Sequence, residues 1–368
     1  MKTWVRKLLV KYNGRIVGYL AELDGGEFAF QYDDAWIRDG FSISPFSLPL
    51  TNQVYINKKT TFKGIYGVFN DSLPDGWGEL LVKRMLGKKG VNYDRLTPLT
   101  KLSLMSGSGL GALEYEPCQA EDSPLPDYSL DEIAADAKRI LDDEDGEDID
   151  FDKVFQLGGS SGGARPKAHI KDGEEYWIVK FPCRIDPKDI GKAEYTANAM
   201  AKKCGINVNE FKLFKSAVTK GYFGAKRFDR IGEKRIHTVS LSALLETTHR
   251  IPNLDYLHLF QVIQNISIDK NDMLEAYRRM CFNVFYGNKD DHGKNHAFIY
   301  DDEAGGYRLS PAFDLTKTPH KPEHEMTVKG SGIPTENDLL ETAKNIKLPM
   351  EECKKIVAEI KRTVKRSE

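Results

Sequence analysis

The sequence predicts an α+β protein with a β-rich N-terminal lobe, which carries an additional N-terminal β subdomain, and a mainly helical C-terminal lobe. Three observations support this fold class. Apolar runs on both sides of Asn13-Gly14 indicate an early β-hairpin. Two further runs, at about 166–171 and 176–181, flank a tight turn and predict a second hairpin. Beyond Asn253 the apolar residues recur every three to four positions, which is typical of helices.

The composition is that of an ordinary globular protein. Its 368 residues suggest roughly two to three domains. The formal net charge of −2 gives no sign of nucleic acid or a membrane as a direct partner. The five cysteines are far apart and form no CxxC pair, which favours reduced thiols. Since no apolar stretch approaches the roughly 20 residues of a membrane span, we expect a cytoplasmic protein.

The first 150 residues are predicted to contain a β subdomain and an acidic connector. Residues 1–118 read as mostly β, with one helix that begins near Pro74-Asp75 and has Gly87 as its C-cap. The connector, 119–150, is strongly acidic and contains a helix that ends near Leu141. Ser129 and Glu132 form the capping box that begins this helix. An exposed loop is expected at Asp142–Gly146.

The remainder is predicted as a β-rich part, 151–253, and a helical part, 254–368. In the β-rich part, a glycine-rich turn precedes the second hairpin, and an Ala-rich helix, Lys192–Cys204, ends before Gly205. Strands are expected near 209–218 and 222–228. In the helical part, a long helix stops at Gly287-Asn288, and a strand–turn–strand follows the next loop.

The loop after the long helix carries the residues that indicate chemistry. Asp290 and Asn295 have the D-x4-N spacing of a protein-kinase catalytic loop, in which the Asp accepts the proton of the attacking hydroxyl and the Asn holds Mg²⁺. Asp314 follows the strand–turn–strand, where such a fold needs its main metal ligand. These three residues predict a catalytic base and two magnesium ligands.

The upstream half agrees with this interpretation. The run Gly158–Gly163 offers backbone N–H groups that can approach phosphate oxygens. One hairpin later, Lys180 lies on a strand like the phosphate-pairing lysine of a kinase, and Glu194 lies early on the next helix, where it could pair with Lys180. A zinc site is not expected at His320–His324, because Pro322 prevents the helix that an H-x-x-E-H motif needs.

These residues belong to longer motifs that resemble the HipA family of bacterial serine/threonine kinases, the toxins of HipBA-type toxin–antitoxin pairs. The motifs are Phe69–Gly78, Gly111–Tyr115, Ser160–Lys167, Arg227–Arg230 and Gly287–Asn295. The resemblance implies a two-lobed kinase-like fold and dependence on ATP and Mg²⁺. It also implies autophosphorylation of Ser160 or Ser161, a HipB-like DNA-binding antitoxin that alone brings the chain to DNA, and a protein substrate such as an aminoacyl-tRNA synthetase.

Asp290 is thus the predicted base, and Asn295 and Asp314 are the predicted metal ligands. Backbone groups of residues 226–228 are expected to recognise adenine. The full set expected to contact ATP is Ser160, Ser161, Gly162, Gly163, Lys167, Lys180, Glu194, Lys226, Arg227, Phe228, His292 and Lys294. An alternative stays open: a nucleotide-binding pseudokinase that acts by contact within an antitoxin–DNA complex.

Overall fold

The computed structural model describes residues 4–105, 109–119, 129–142, 149, 151–184, 186–187, 189–248 and 250–366. The chain divides into a first unit, Met1–Lys192 with Phe211–Thr238, and a second unit, Ala193–Glu210 with Val239–Glu368. Both units combine helices with strands, so the predicted α+β class is confirmed. The loop expected at Asp142–Gly146 lies outside the described residues after its first position.

The first unit begins with a five-stranded antiparallel sheet of order β4-β3-β2-β1-β5. Its strands are β1 (Lys7–Tyr12), β2 (Arg15–Glu22), β3 (Phe28–Tyr32), β4 (Tyr55–Asn57) and β5 (Leu113–Glu116). The predicted hairpin is confirmed, because Asn13 and Gly14 both have positive φ, at 45° and 79°. On β1, Leu8, Val10 and Tyr12 alternate with more exposed residues, as one buried sheet face requires.

In the described part of the first unit, six α-helices accompany the two main sheets. They are α1 (Asp34–Asp39), α2 (Gly67–Asn70), α3 (Gly76–Lys88), α4 (Pro98–Ser103), α5 (Leu130–Leu141) and α6 (Phe151–Gly158). The predicted capping box of α5 is confirmed: Ser129 and Glu132 cap each other reciprocally. The prediction for Gly87 was wrong. It lies inside α3, and Gly90, with φ of 72°, is the left-handed residue after the helix.

The second sheet of this unit has the order β6-β7-β9-β8 and is antiparallel throughout. Its strands are β6 (Lys167–Asp172), β7 (Glu175–Lys180), β8 (Phe211–Phe214) and β9 (Tyr222–Lys226), and a short pair, β10 (Arg230–Ile231) and β11 (Lys234–Arg235), follows. Trp177 and Val179 of β7 share one buried cluster with Trp77 of α3, Ile133 of α5 and Val154 of α6. The helix of the acidic segment is therefore part of the hydrophobic core.

The second unit is mainly helical, with short strands. Its elements are α7 (Ile190–Lys203), β12 (Thr238–Ser240), α8 (Leu241–Leu244), β13 (Leu254–Asp255), α9 (Tyr256–Ile266), α10 (Asp272–Tyr286), β14 (Ala297–Asp301), β15 (Gly306–Leu309), β16 (Met326–Thr327), α11 (Glu336–Asn345) and α12 (Met350–Lys365). The first residues of α7 and β12 lie at the unit boundaries. The strands form a β12-β14-β15 sheet and a parallel β13-β16 pair.

Apolar faces join the helices of the second unit. Helix α10 packs against α12, and Tyr277 and Met280 on α10 and Ile356 and Ile360 on α12 are fully buried. The long helix ends where the sequence predicted, because Gly287 caps it with a left-handed φ of 80°. The catalytic-loop motif thus begins at the end of a core helix.

Candidate active site

The glycine-rich loop of the first unit connects α6 to β6. Gly162 and Gly163 are exposed, and Gly163 has a φ of 80°, a conformation that favours glycine. Ser161 is buried, and its hydroxyl donates to the carbonyl oxygen of Gly158 at 2.5 Å. Ser160 is half-buried. The loop therefore presents glycine backbone at the surface, as a phosphate-binding nest requires.

Residues at the start of α3 hold this loop in place. The Asp75 carboxylate accepts a hydrogen bond from the N–H of Gly163, whose carbonyl oxygen accepts one from the N–H of Trp77 at 2.8 Å. A Cβ atom on Gly78 would lie only 2.2 Å from the carbonyl oxygen of Ser161, so this close approach requires glycine. No local sequence pattern indicates these contacts, because Asp75 and Gly163 are 88 positions apart.

Two candidate phosphate-binding lysines lie at the open end of the β6–β7 hairpin. Lys167 and Lys180 are direct partners across the two strands. The ammonium group of Lys167 donates to the carbonyl oxygen of Gly162, and the indole N–H of Trp77 donates to the Lys167 carbonyl at 3.2 Å. The first unit therefore brings the glycine-rich loop and both lysines into one region.

The expected adenine-binding residues follow β9. Lys226 lies opposite Trp177 in the sheet and forms an ion pair with Glu175. The backbone N–H of Arg227 donates to the carbonyl oxygen of Tyr176 at 2.8 Å. That N–H therefore belongs to the sheet, and adenine recognition here would use other backbone groups of residues 226–228.

The side chain of Arg227 belongs to a buried ionic network. Its guanidinium binds both carboxylate oxygens of Asp229, at 2.9 and 2.7 Å, and the carbonyl oxygen of Gly109 at 2.6 Å. Arg230 also contacts Asp229, at 2.8 Å, and Asp229 accepts from the N–H of Gly111 at 2.7 Å. Burial raises the pKa of Asp229, but the two arginines outweigh it and lower the pKa to about 2. This network joins the motifs Gly111–Tyr115 and Arg227–Arg230, because the N–H of Gly111 binds Asp229 across 118 positions of the chain.

In the second unit, a hydrogen bond joins the two ends of the D-x4-N loop. The side-chain amide of Asn295 donates to the backbone carbonyl oxygen of Asp290 at 2.8 Å. The Asp290 carboxylate accepts from the ammonium group of Lys321 at 2.5 Å. Asn295 therefore fixes the backbone of the predicted base, and a cation lies beside its carboxylate.

The neighbouring Asp291 is the buried centre of the loop. Its carboxylate accepts from the hydroxyl of Tyr256 at 2.8 Å and the N–H of Glu325 at 3.0 Å, and one oxygen lies 2.9 Å from Nδ1 of His324. Sequence reasoning missed this role. The adjacent acidic pair was a signal, because one carboxylate of such a pair can serve the reaction while the other holds the loop.

Asp314 follows β15 with a left-handed φ of 57°, which is uncommon outside glycine but tolerated by Asp. Asn295 and Phe313, the residue before Asp314, line one small cavity of the second unit. An amide oxygen and a carboxylate are hard ligands that suit Mg²⁺, which takes its other ligands from water and phosphate. The donor chemistry of Asn295 and Asp314 therefore fits a magnesium ion.

The remaining predicted residues lie around the same loop or on α7. His292 and Lys294 flank Gly293, where a Cβ would meet the hydroxyl oxygen of Ser242 at 2.7 Å, so this approach also requires glycine. Glu194 is buried on α7. It belongs to the second unit and Lys180 to the first, and their pairing stays a prediction.

Two other features bear on possible functions. His320–His324 is not helical, as Pro322 predicted, and within the described ranges no three His, Cys, Asp or Glu side chains gather into a metal site. Among the described residues, no helix has the length and apolar character needed to cross a membrane.

The chain matches two family models, the HipA N-terminal domain at residues 8–116 and the HipA-like C-terminal domain at residues 159–367. Two similar proteins come from Sinorhizobium fredii. The first, "Putative kinase Y4dM", is 26% identical, and the match covers 85% of this chain and 78% of that protein. The second, "Putative kinase Y4mE", is 27% identical, and the match covers 87% of this chain and 79% of that protein.

A solved structure from Shewanella oneidensis, the HipA, HipB and operator DNA complex, contains a chain of the same fold. The likeness has a TM-score of 0.72 at 19% identity and covers 98% of this chain and 89% of that chain. This match confirms the kinase-like α+β fold that the sequence predicted. The C-terminal family model alone spans more than half of the sequence, and the chain therefore belongs to the HipA family of kinase-like proteins.

Proposed function

We propose that the chain is a protein serine/threonine kinase that uses ATP and Mg²⁺. The geometry of the second unit carries this proposal. The side-chain amide of Asn295 is hydrogen-bonded to the backbone carbonyl of Asp290. Asn295 also lines the same small cavity as Phe313, the residue directly before Asp314. A base, an amide ligand five residues later and a carboxylate ligand after a strand–turn–strand stand in the chain order of a kinase active site.

In the proposed reaction, a substrate hydroxyl oxygen attacks the γ-phosphorus of ATP. A new O–P bond forms while the bond from the γ-phosphorus to the β–γ bridging oxygen breaks, so that ADP leaves. The hydroxyl proton passes to the carboxylate of Asp290. Asn295 and Asp314 would hold Mg²⁺, which neutralises charge on the phosphate oxygens. Gly162, Gly163 and Lys180 would hold the phosphates.

We also propose that the chain phosphorylates its own glycine-rich loop at Ser160. The hydroxyl of Ser161 is buried and donates to the carbonyl oxygen of Gly158, whereas Ser160 is half-buried. Phosphorylation of Ser161 would require this bond to break and the side chain to leave its buried position. A phosphate at Ser160 adds nearly two negative charges where ATP phosphates would bind, and would therefore inhibit the enzyme.

Intact-mass spectrometry after incubation with Mg-ATP tests this modification. We expect the mass of one phosphate on the wild-type chain, mapped by peptide analysis to Ser160. Ser160→Ala should lose the added phosphate and Ser161→Ala should keep it. Phosphate on Ser161 in the wild type, or on neither serine, would contradict the assignment.

For the biological role, we propose the toxin of a cytoplasmic toxin–antitoxin pair. The fold match to a HipA that was solved with HipB and operator DNA supports a HipB-like antitoxin as partner. The net charge of −2 favours contact with DNA only through that partner. We further propose aminoacyl-tRNA synthetases as substrates. Radiolabelled ATP should label a purified synthetase in the presence of wild type but not Asp290→Asn, and label on no synthetase would contradict this substrate class.

A further inference from the structure

The segment from Thr318 to Met326, which we call the clasp, follows Asp314. It makes a series of hydrogen bonds to residues 287–291 of the catalytic loop. Thr318 donates from its N–H to the carbonyl oxygen of Gly287 at 3.0 Å, and its hydroxyl accepts from the N–H of Lys289 at 2.7 Å. The N–H of Glu325 donates to the carbonyl oxygen of Lys289 at 3.1 Å. The clasp thus fixes the backbone that leads to Asp290.

Within the clasp, Lys321 is held on both sides. The ammonium group of Lys289 donates to the carbonyl oxygens of Lys321 and Pro322, at 2.9 and 3.1 Å. Further along the clasp, His324 and Glu325 are bound to the buried carboxylate of Asp291. The backbone position of Lys321 is therefore set by the loop that it contacts.

The Lys321 side chain ends at the predicted base. Its ammonium group lies 2.5 Å from Oδ1 of Asp290 and 2.7 Å from Oε1 of Glu325, and the Lys321 side chain is about one-quarter exposed, at 26%. Burial lowers the pKa of Lys321, but the hydrogen bonds and charges of the two carboxylates outweigh burial and raise it. The group is therefore a permanent cation near neutral pH.

We propose that Lys321 is a positioning residue for Asp290, an inference that rests on the proposed kinase function. One hydrogen bond from the ammonium group fixes one carboxylate oxygen, which orients the other oxygen toward the substrate hydroxyl. The positive charge also reduces the repulsion between the Asp290 carboxylate and the anionic phosphate groups of ATP, which a base in a kinase must approach. Glu325 holds the ammonium group in place from the other side.

Steady-state kinetics of Lys321→Met test this role. We expect kcat to fall on the order of 10- to 100-fold, as a misplaced catalytic group predicts, while the KM for ATP changes less than about threefold. Lys321→Arg should recover part of kcat, because a guanidinium can still donate to the carboxylate. Lys329→Met is the matched control: Lys329 pairs with Glu341 and not with the catalytic loop, so kcat should stay near that of the wild type.

Thermal unfolding of each variant separates positioning from folding. Lys321→Met should unfold within a few degrees of Lys329→Met. Lys321 loses two partly exposed ion pairs and Lys329 loses one, and such pairs each contribute little to stability. An unchanged kcat in Lys321→Met, or an equal loss in Lys329→Met, would overturn the inference while the kinase function stands. Absence of phosphate transfer by the wild type would instead overturn the proposed function itself.

Discussion

Asp290→Asn is expected to reduce the rate of phosphate transfer by about 10²- to 10⁴-fold, the usual contribution of a general base. The substitution conserves size, and the backbone carbonyl that accepts from Asn295 is unchanged, so the loop should keep its conformation. ATP affinity should change little, because the carboxylate is assigned to the hydroxyl and not to the nucleotide. Transfer of radiolabelled phosphate and a separate measurement of ATP binding give the two readouts.

Asp302→Asn, an exposed change in the β14–β15 turn, is the control and should leave the rate near wild type. Equal incorporation by wild type and Asp290→Asn would remove Asp290 from the mechanism. If the wild type bound ATP without transferring phosphate to any protein, the pseudokinase alternative would replace the kinase. Measurements of phosphate transfer and of ATP binding by Asp314→Asn then show whether the Asp314 carboxylate serves nucleotide binding alone.

Asp229→Asn is expected to cause the largest loss of stability, about 3–5 kcal/mol. The variant leaves the guanidinium groups of Arg227 and Arg230 buried without their shared counter-charge. Asp24→Asn is the matched control, because Asp24 is fully exposed beside Arg6 and its loss should leave the free energy of unfolding near that of the wild type. Urea unfolding at neutral pH measures both changes, and a loss below 1 kcal/mol in Asp229→Asn would contradict the role of the network.

The same network predicts the direction of a pH effect. The pKa of Asp229 is about 2 in the folded protein, against an ordinary value of 3.8. Its stabilising contribution, on the order of 2 kcal/mol, is therefore complete above about pH 5 and is lost progressively as the pH falls through 4 toward 2 and below. The unfolding free energy of the wild type should thus fall more steeply between pH 4 and 3 than that of Asp229→Asn.

Local sequence patterns were sufficient for most elements of the fold. The alternation around Asn13-Gly14, the capping box at Ser129 and the apolar spacing before Gly287 each depend on neighbouring residues, and each was confirmed. Helices α1, α2 and α4 were missed, because residues 1–118 were predicted as mostly β with one helix. Helix α6 was also missed, although its apolar residues are spaced as in a helix. The glycine-rich run that follows these eight residues indicates a turn, and a turn is the only element that was predicted there.

The long-range contacts of the site could not be predicted in the same way. Asp75 reaches Gly163 across 88 positions, and Lys321 reaches Asp290 across 31. No periodicity or spacing rule connects residues so far apart. The role of Arg227 was also hidden, because a charged residue near a predicted nucleotide site suggests binding, while its burial against Asp229 appears only in three dimensions.

The anchoring of the glycine-rich loop by Asp75–Gly78 limits how this polypeptide can be shortened. Trp77 is almost fully enclosed in a cluster that includes Leu157 and Trp177, so a fragment that lacks residues 1–118 would lose a bulky aromatic side chain from the interior of the first unit. We expect such a fragment to precipitate or to bind no ATP when it is produced alone. The two regions that the family models match therefore share one hydrophobic core in the first unit.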